Sequence, residues 1–234
     1  MNGAHLYRWM VLQEGSLPCR PDGRIRHDVS HVCTTTLVWP EGARPGRGNT
    51  LILDPCFNMS GLVEARGRLR ELGLSGCEIG WYMETHGHGD HALTSAAELI
   101  DLRPAPWDGP SPGWPDMELV RLPGHEPSLH ALRFRAAEGE VWVAGDAVLD
   151  MDYLREWCVY EPNGYGKYEI LQTYRDVARI LESADLIIPG HAAAIQVTGE
   201  LLATLCDSFP NKAFCASECP DVLEKIERRR SAAR

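Results

Sequence analysis

The alternation of apolar and polar positions cuts the chain into short strands parted by turn-rich loops, with helical stretches between some of them. Residues 5–14 (HLYRWMVLQE) and 31–39 (HVCTTTLVW) are rich in β-branched and aromatic types and read as strands, with a polar loop over 15–30. A Gly/Pro/Arg turn from Glu41 to Asn49 leads into a short buried strand, Thr50 to Asp54. These neighbours suggest an antiparallel sheet. Leu62 to Leu74 follows, with Leu62, Ala65, Leu69 and Leu72 at helical spacing, Arg66, Arg68 and Arg70 largely outward, and Gly73 as a stop. Cys77 to Met83 reads as a strand and Ala92 to Leu102 as a helix, with Leu93, Ala96, Ala97 and Ile100 on one side.

Residues 103–116 are rich in proline and tryptophan, which predicts an irregular loop at the rim of a site. Strands are expected from Met117 to Leu122, on through Phe134 after Pro123-Gly124-His125-Glu126-Pro127, and from Glu140 to Ala144 ahead of Gly145-Asp146. A Tyr-rich insertion spans 147–168. A helix follows from Glu169 to Ser183, with Leu171, Tyr174, Ala178 and Leu181 on one face, and then a strand from Asp185 to Ile188 that ends in Pro189-Gly190-His191. The remainder reads as helical and finishes in Arg228-Arg229-Arg230. With no internal repeat and no linker, the expectation is a single domain over 1–234, its motif-bearing core at about 31–195 and a helical tail at about 196–234.

Composition narrows the class. The 234 residues can bury a sizeable core. No apolar run approaches the roughly 18 residues of a membrane span, and Met1 to Ser16 lacks the basic-then-apolar pattern of a signal peptide, so a cytoplasmic protein with no membrane partner is expected. The formal charge of −10 argues against wrapping nucleic acid. The eight cysteines are scattered without a C-x-x-C pair and read as reduced thiols; Cys215 and Cys219 lie close together, but with only Cys206 nearby and no local histidine they do not make a zinc site.

The chemistry concentrates in Thr85-His86-Gly87-His88-Gly89-Asp90-His91. Neutral imidazole is the commonest metal ligand, and carboxylate oxygen completes such sites. A tight loop can aim these groups at neighbouring points, and Gly87 and Gly89 permit the positive φ angles such a loop often uses. The reading is a metal loop with ligands split between two ions. A His-rich surface tag is the bland alternative, set aside because both flanks read as folded. His125, Asp146 and His191 likewise follow short apolar strands, so four ligand-bearing loops are expected at one edge of a sheet core.

The H-x-H-x-D-H run at 86–91, the P-G-H at 123–125, the G-D at 145–146 and the P-G-H at 189–191 together resemble the metallo-β-lactamase-fold superfamily, in its glyoxalase-II-like and lactonase-like branches. The resemblance covers roughly residues 31–195. It implies an α/β fold, a four-layer αβ/βα sandwich of two mixed, largely antiparallel sheets with helices outside. It also implies a first metal on His86, His88 and His125, a second on Asp90, His91 and His191, and Asp146 as the bridging carboxylate. Two divalent ions are expected, zinc first, with iron or manganese also suited to the donors. They would bring the charge to about −7 with a bridging hydroxide.

That hydroxide would attack an ester, lactone or thioester of a small molecule, with Asp90 and Asp146 as the catalytic carboxylates and Asp90 passing the proton. Tyr153 or Tyr165 would donate to the substrate oxygen. Asp54 stands where the family often carries an orienting aspartate, here as Asp54-Pro55-Cys56; it either orients a ligand histidine or caps a turn. His130 reads as structural, and His5, His27 and His31 show no partner pattern. Departures from both branches, including Ala92-Leu93-Thr94 after His91, leave the substrate open. A phosphodiesterase or nuclease of the same fold is an alternative, as is a mononuclear iron persulfide dioxygenase. A β-lactamase ranks below these because Asp146 stands where several such branches carry cysteine or serine. Partner expectations are a small-molecule substrate, no nucleic acid, and a homodimer left open.

Overall fold

The computed structural model describes residues 5–75, 78–94, 101–105 and 114–232. Two five-stranded sheets are built from consecutive stretches of chain. The first has strand order β1 (Tyr7–Gln13), β2 (Thr35–Pro40), β3 (Leu51–Leu53), β4 (Trp81–Met83), β5 (Arg103–Pro104). The second runs β10 (Ile195–Gln196), β9 (Leu186–Pro189), β8 (Gly139–Gly145), β7 (His130–Ala136), β6 (Glu118–Arg121). Both are mixed: β1, β2 and β3 pair antiparallel, while β3, β4 and β5 pair parallel. In the second sheet only β8 and β9 are parallel.

Alternation along the strands makes the layers. Leu51 and Leu53 of β3 face Val141 and Val143 of β8 in the cluster between the sheets. Ile52 points the other way, onto Ala65 and Leu69 of α1 (Met59–Glu71). Trp142 and Ala144 of β8 pack outward against α3 (Lys167–Leu181), α4 (Gly199–Lys212) and α5 (Pro220–Ala232). The result is helix, sheet, sheet, helix, as the resemblance implied. All four positions expected on the inner face of α3, Leu171, Tyr174, Ala178 and Leu181, are buried there. Asn58 caps α1 by accepting from Gly61 N–H, so the helix starts earlier than its apolar spacing suggests.

Some expectations need correction. Residues 103–116 are not wholly irregular: Arg103 and Pro104 extend the first sheet as β5, which an edge position allows. Residues 106–113 lie outside the described residues, as do 95–100, which carry most of the helix expected at 92–102. Ala105 and Trp114 pack between the sheets. The tail is not purely helical, because β10 pairs with β9. The insertion at 147–168 holds α2 (Met151–Glu156) and a turn of 3₁₀ helix at Glu161–Asn163. Among the described residues seven cysteines are free, no ligand cluster involves Cys215 or Cys219, and no helix is long and apolar enough to cross a membrane.

Candidate metal centre

Each ligand loop leaves the carboxyl end of a strand or links two strands at that edge. β3 ends at Asp54 and β4 leads into residues 84–91. The turn between β6 and β7 holds His125, while β8 and β9, parallel neighbours, end at Asp146 and His191. Tight packing fixes these turns. A Cβ on Gly124 would lie 2.3 Å from the Thr173 backbone nitrogen, and one on Gly190 only 1.9 Å from Asp146 Oδ1. Gly87 and Gly89 behave otherwise than expected: neither takes a positive φ, and a Cβ on either would meet open space. The left-handed backbone of the site is at Asp54 (φ 48°) and Gly145 (φ 51°).

All seven sequence-predicted ligands converge. His88 Nδ1 lies 3.0 Å from His86 Nε2 and 3.1 Å from His125 Nε2, and Asp146 Oδ2 is 3.4 Å from His125 Nε2 and 3.9 Å from His86 Nε2. The other oxygen, Asp146 Oδ1, is 3.1 Å from His91 Nε2 and 3.2 Å from His191 Nε2. Asp90 Oδ2 stands 3.5 Å from His191 Nε2 and 4.0 Å from His91 Nε2. Donors at 2.0–2.2 Å from a tetrahedral ion stand roughly 3.3–3.6 Å apart, so this spacing fits metal ligation.

The electrostatics fit as well. Burial pushes His86 down to about 3 and His125 down to about 4, so both imidazoles are neutral at neutral pH and able to ligate a cation. Burial also opposes charge on His91 and His191, but carboxylates win: Asp54 and Asp146 hold His91 well above the usual histidine range, and Asp146 raises His191. Burial would raise Asp146, yet the neighbouring His191 and His91 keep it well below the usual carboxylate range. His91 Nε2 and Asp146 Oδ1 are buried without a hydrogen-bond partner although close together. A site with orphaned donor atoms and carboxylates that draw protons onto buried imidazoles lacks positive charge, which divalent cations would supply.

Outer contacts orient the rings. His91 Nδ1–H donates to Asp54 Oδ2 at 3.0 Å and His191 Nδ1–H to the Val32 carbonyl at 2.8 Å, which leaves each Nε2 lone pair facing the cluster. Asp54, open between two roles from sequence, is buried and also accepts from Thr85 N–H at 2.7 Å and the Thr85 hydroxyl at 2.9 Å. Sequence reading missed His31 altogether: its Nε2 is 3.0 Å from Asp90 Oδ2. His130 lies in no ligand cluster among the described residues, and its Nδ1 meets the Ser128 carbonyl.

Beside Asp146 and His125 opens a recess walled by Tyr153, Leu154, Trp157, Tyr160 and Tyr165. Tyr153 donates to the Cys19 carbonyl at 3.3 Å, so its hydroxyl is already engaged. The Tyr165 oxygen lies 2.7 Å from His125 Nδ1 and accepts from Asn163 Nδ2 at 2.7 Å. With Nδ1–H also donating to it, its own hydrogen stays available.

Asp176 ties α3 to this edge. It accepts from Gly124 N–H at 2.7 Å and Gln172 at 2.9 Å, and burial raises it to about 6. Between pH 4 and 6 the unfolded chain releases this proton while the folded chain keeps it, so stability falls as pH rises, by about 3 kcal/mol in all. Asp176→Asn removes that loss; the difference between variant and wild-type denaturant midpoints should grow from pH 4 to 6 and then level off. A constant difference across this range would refute the assignment.

Comparison with solved structures places this architecture. A candidate metallo-β-lactamase from Thermotoga maritima superposes with a TM-score of 0.53 at 19% identity, covering 82% of this chain and 100% of that one. A candidate metal-dependent hydrolase from Staphylococcus aureus gives 0.56 at 12%, covering 83% and 94%, and the hydrolase AbOPH of the β-lactamase superfamily 0.55 at 11%, covering 82% and 91%. No family model matches the sequence, and no curated protein does. The chain has the metallo-β-lactamase fold.

Proposed function

We propose that this protein is a dinuclear metal-dependent hydrolase acting on an ester, lactone or thioester of a small molecule. The observation that carries this reading is Asp146, whose Oδ1 faces His91 and His191 while its Oδ2 reaches His86, His125 and also His191, so that one carboxylate borders both ligand clusters and suits two ions. His86, His88 and His125 would hold the first ion, and Asp90, His91 and His191 the second. When bound, such ions supply Lewis acidity and a nucleophile at neutral pH. The rest falls to the chain. Asp90, partly open to solvent, takes and passes the proton. The aromatic recess receives the organic part of the substrate and excludes water from it. Tyr165, fixed by Asn163 and His125, donates its free hydrogen to the developing oxyanion. The solved structures of this fold whose names denote hydrolases lend support.

The test joins elemental analysis to a panel of lactone, thioester, phosphodiester and β-lactam substrates. Two ions per chain and turnover of the first two classes are expected, zinc being the first metal to try. Tyr165→Phe should keep both ions and lower kcat by on the order of a hundredfold. One ion in fully loaded protein, or turnover confined to phosphodiesters, sinks the reading.

A further inference from the structure

The loop before β2 carries His31 to the open side of the second cluster. Its Nε2 lies 3.0 Å from Asp90 Oδ2, and its ring stands edge-on to His191 with centroids 5.0 Å apart. His31, Asp90 and His191 each bring one ligand atom to a common place. Backbone contacts hold the loop there. Ser16 and Val32 bridge antiparallel, with N–H to carbonyl distances of 2.8 and 3.1 Å. The Val32 carbonyl, one residue from His31, is the group that orients His191. Thr34 N–H donates to the Gly190 carbonyl at 2.6 Å, and the Thr34 hydroxyl to the Ala192 carbonyl at 3.0 Å. His31 therefore cannot drift from His191 without breaking bonds between the two loops.

An exposed ion pair with Asp90 is the simpler account, since the His31 side chain is 38% exposed, and such a pair contributes little to stability. It leaves unexplained why the ring is also set against a buried ligand histidine. We propose that His31 is a further ligand of the second metal, completing a set of His31, Asp90, His91, Asp146 and His191. His191 Nδ1–H is spent on Val32, so its Nε2 lone pair serves a single ion. The His31–Asp90–His191 and His91–Asp146–His191 groups share His191, whose Nε2 lies 3.5 Å from Asp90 Oδ2 and 3.2 Å from Asp146 Oδ1, and so grip one ion from two sides, the first from the solvent side and the second from the buried side. Asp90 Oδ2 joins the halves, 3.0 Å from His31 and 4.0 Å from His91. Five protein donors exceed the usual three of an open catalytic zinc site and suit ions that accept five or six ligands.

This inference rests on the two-ion reading, so wild-type protein is measured first. Wild type, His31→Ala and His31→Phe are loaded with Co2+ and titrated with chelator, while bound metal and the visible Co2+ bands are followed; the Phe variant keeps the ring's packing. Both variants should hold the first ion as wild type does, release the second about tenfold or more readily, and show stronger visible bands as its coordination number falls. Wild-type affinity and spectrum for the second ion in both variants would overturn the inference. So would equal weakening of both ions, which would make His31 a mere loop anchor, or a third wild-type ion missing from the variants, which would make it a separate site. A single ion in wild type would defeat the two-ion reading, and this inference with it.

Discussion

Asp146→Ala should keep the fold, lose most of its second metal and drop turnover by on the order of a thousandfold or more. The carboxylate is buried, with Oδ1 toward His91 and His191 and Oδ2 toward His125, His86 and His191. On the two-ion reading, removing it takes away the negative charge between two dications, so their repulsion rises and the second ion, whose Asp90 donor is partly open to solvent, is expected to leave first. Loss of several kcal/mol of charge stabilisation accounts for the rate. The fold survives because Asp146 stands at the sheet edge, beyond the clusters between the layers. His130→Ala is the control. Metal content and turnover on the best substrate of the panel are the measurements; two ions and near-normal turnover in Asp146→Ala would end the bridging assignment, and metal loss in His130→Ala would show the second motif to be misread.

The second large effect is expected at Asp54, and there it falls on stability. Its carboxylate takes His91 Nδ1–H, Thr85 N–H and the Thr85 hydroxyl in a dry interior. Asp54→Ala orphans all three donors, at a cost of about 3 kcal/mol, or roughly 6–12 °C in Tm for a chain of this size. It also places alanine at φ 48°, which aspartate and asparagine tolerate better. Asp54→Asn keeps the backbone and an acceptor for Thr85 but loses the charge facing His91. It should therefore recover most of the Tm while second-metal affinity stays about ten- to a hundredfold down. Equal Tm values for the two variants would show that the hydrogen bonds carry no stability.

Much of the architecture was legible because its signals are local. Leu51–Leu53, Trp81–Met83 and Leu186–Pro189 are short strands, the first and last wholly buried, that each run into a polar group with distinctive chemistry, and a sheet must gather such ends at one edge. The αβ/βα layering came from the resemblance the motifs carried, and the alternation agreed with it. What escaped notice depends on contacts far apart in sequence. Two-residue strands such as Arg103–Pro104 and Ile195–Gln196 are too short to alternate and exist only through their neighbours. His31 lies far before the metal loop, in a segment that reads as ordinary strand, and acquires meaning only when Val32 and Thr34 bond across to His191 and its neighbours. Asp54 could be resolved between capping and orienting only by the position of His91. Gly87 and Gly89 suggested a contorted loop, whereas the contortion sits at Asp54 and Gly145.

The sheets are built from consecutive halves of the chain, and on the two-ion reading each ion takes ligands from both. His86 and His88 precede the second sheet, as do Asp90 and His91, while His125, Asp146 and His191 all belong to it. A growing chain that has made only its first sheet would then carry about half of each coordination set. Neither set is complete until the sheets dock, so on that reading metal affinity and the docking of the two halves would be coupled, each strengthening the other.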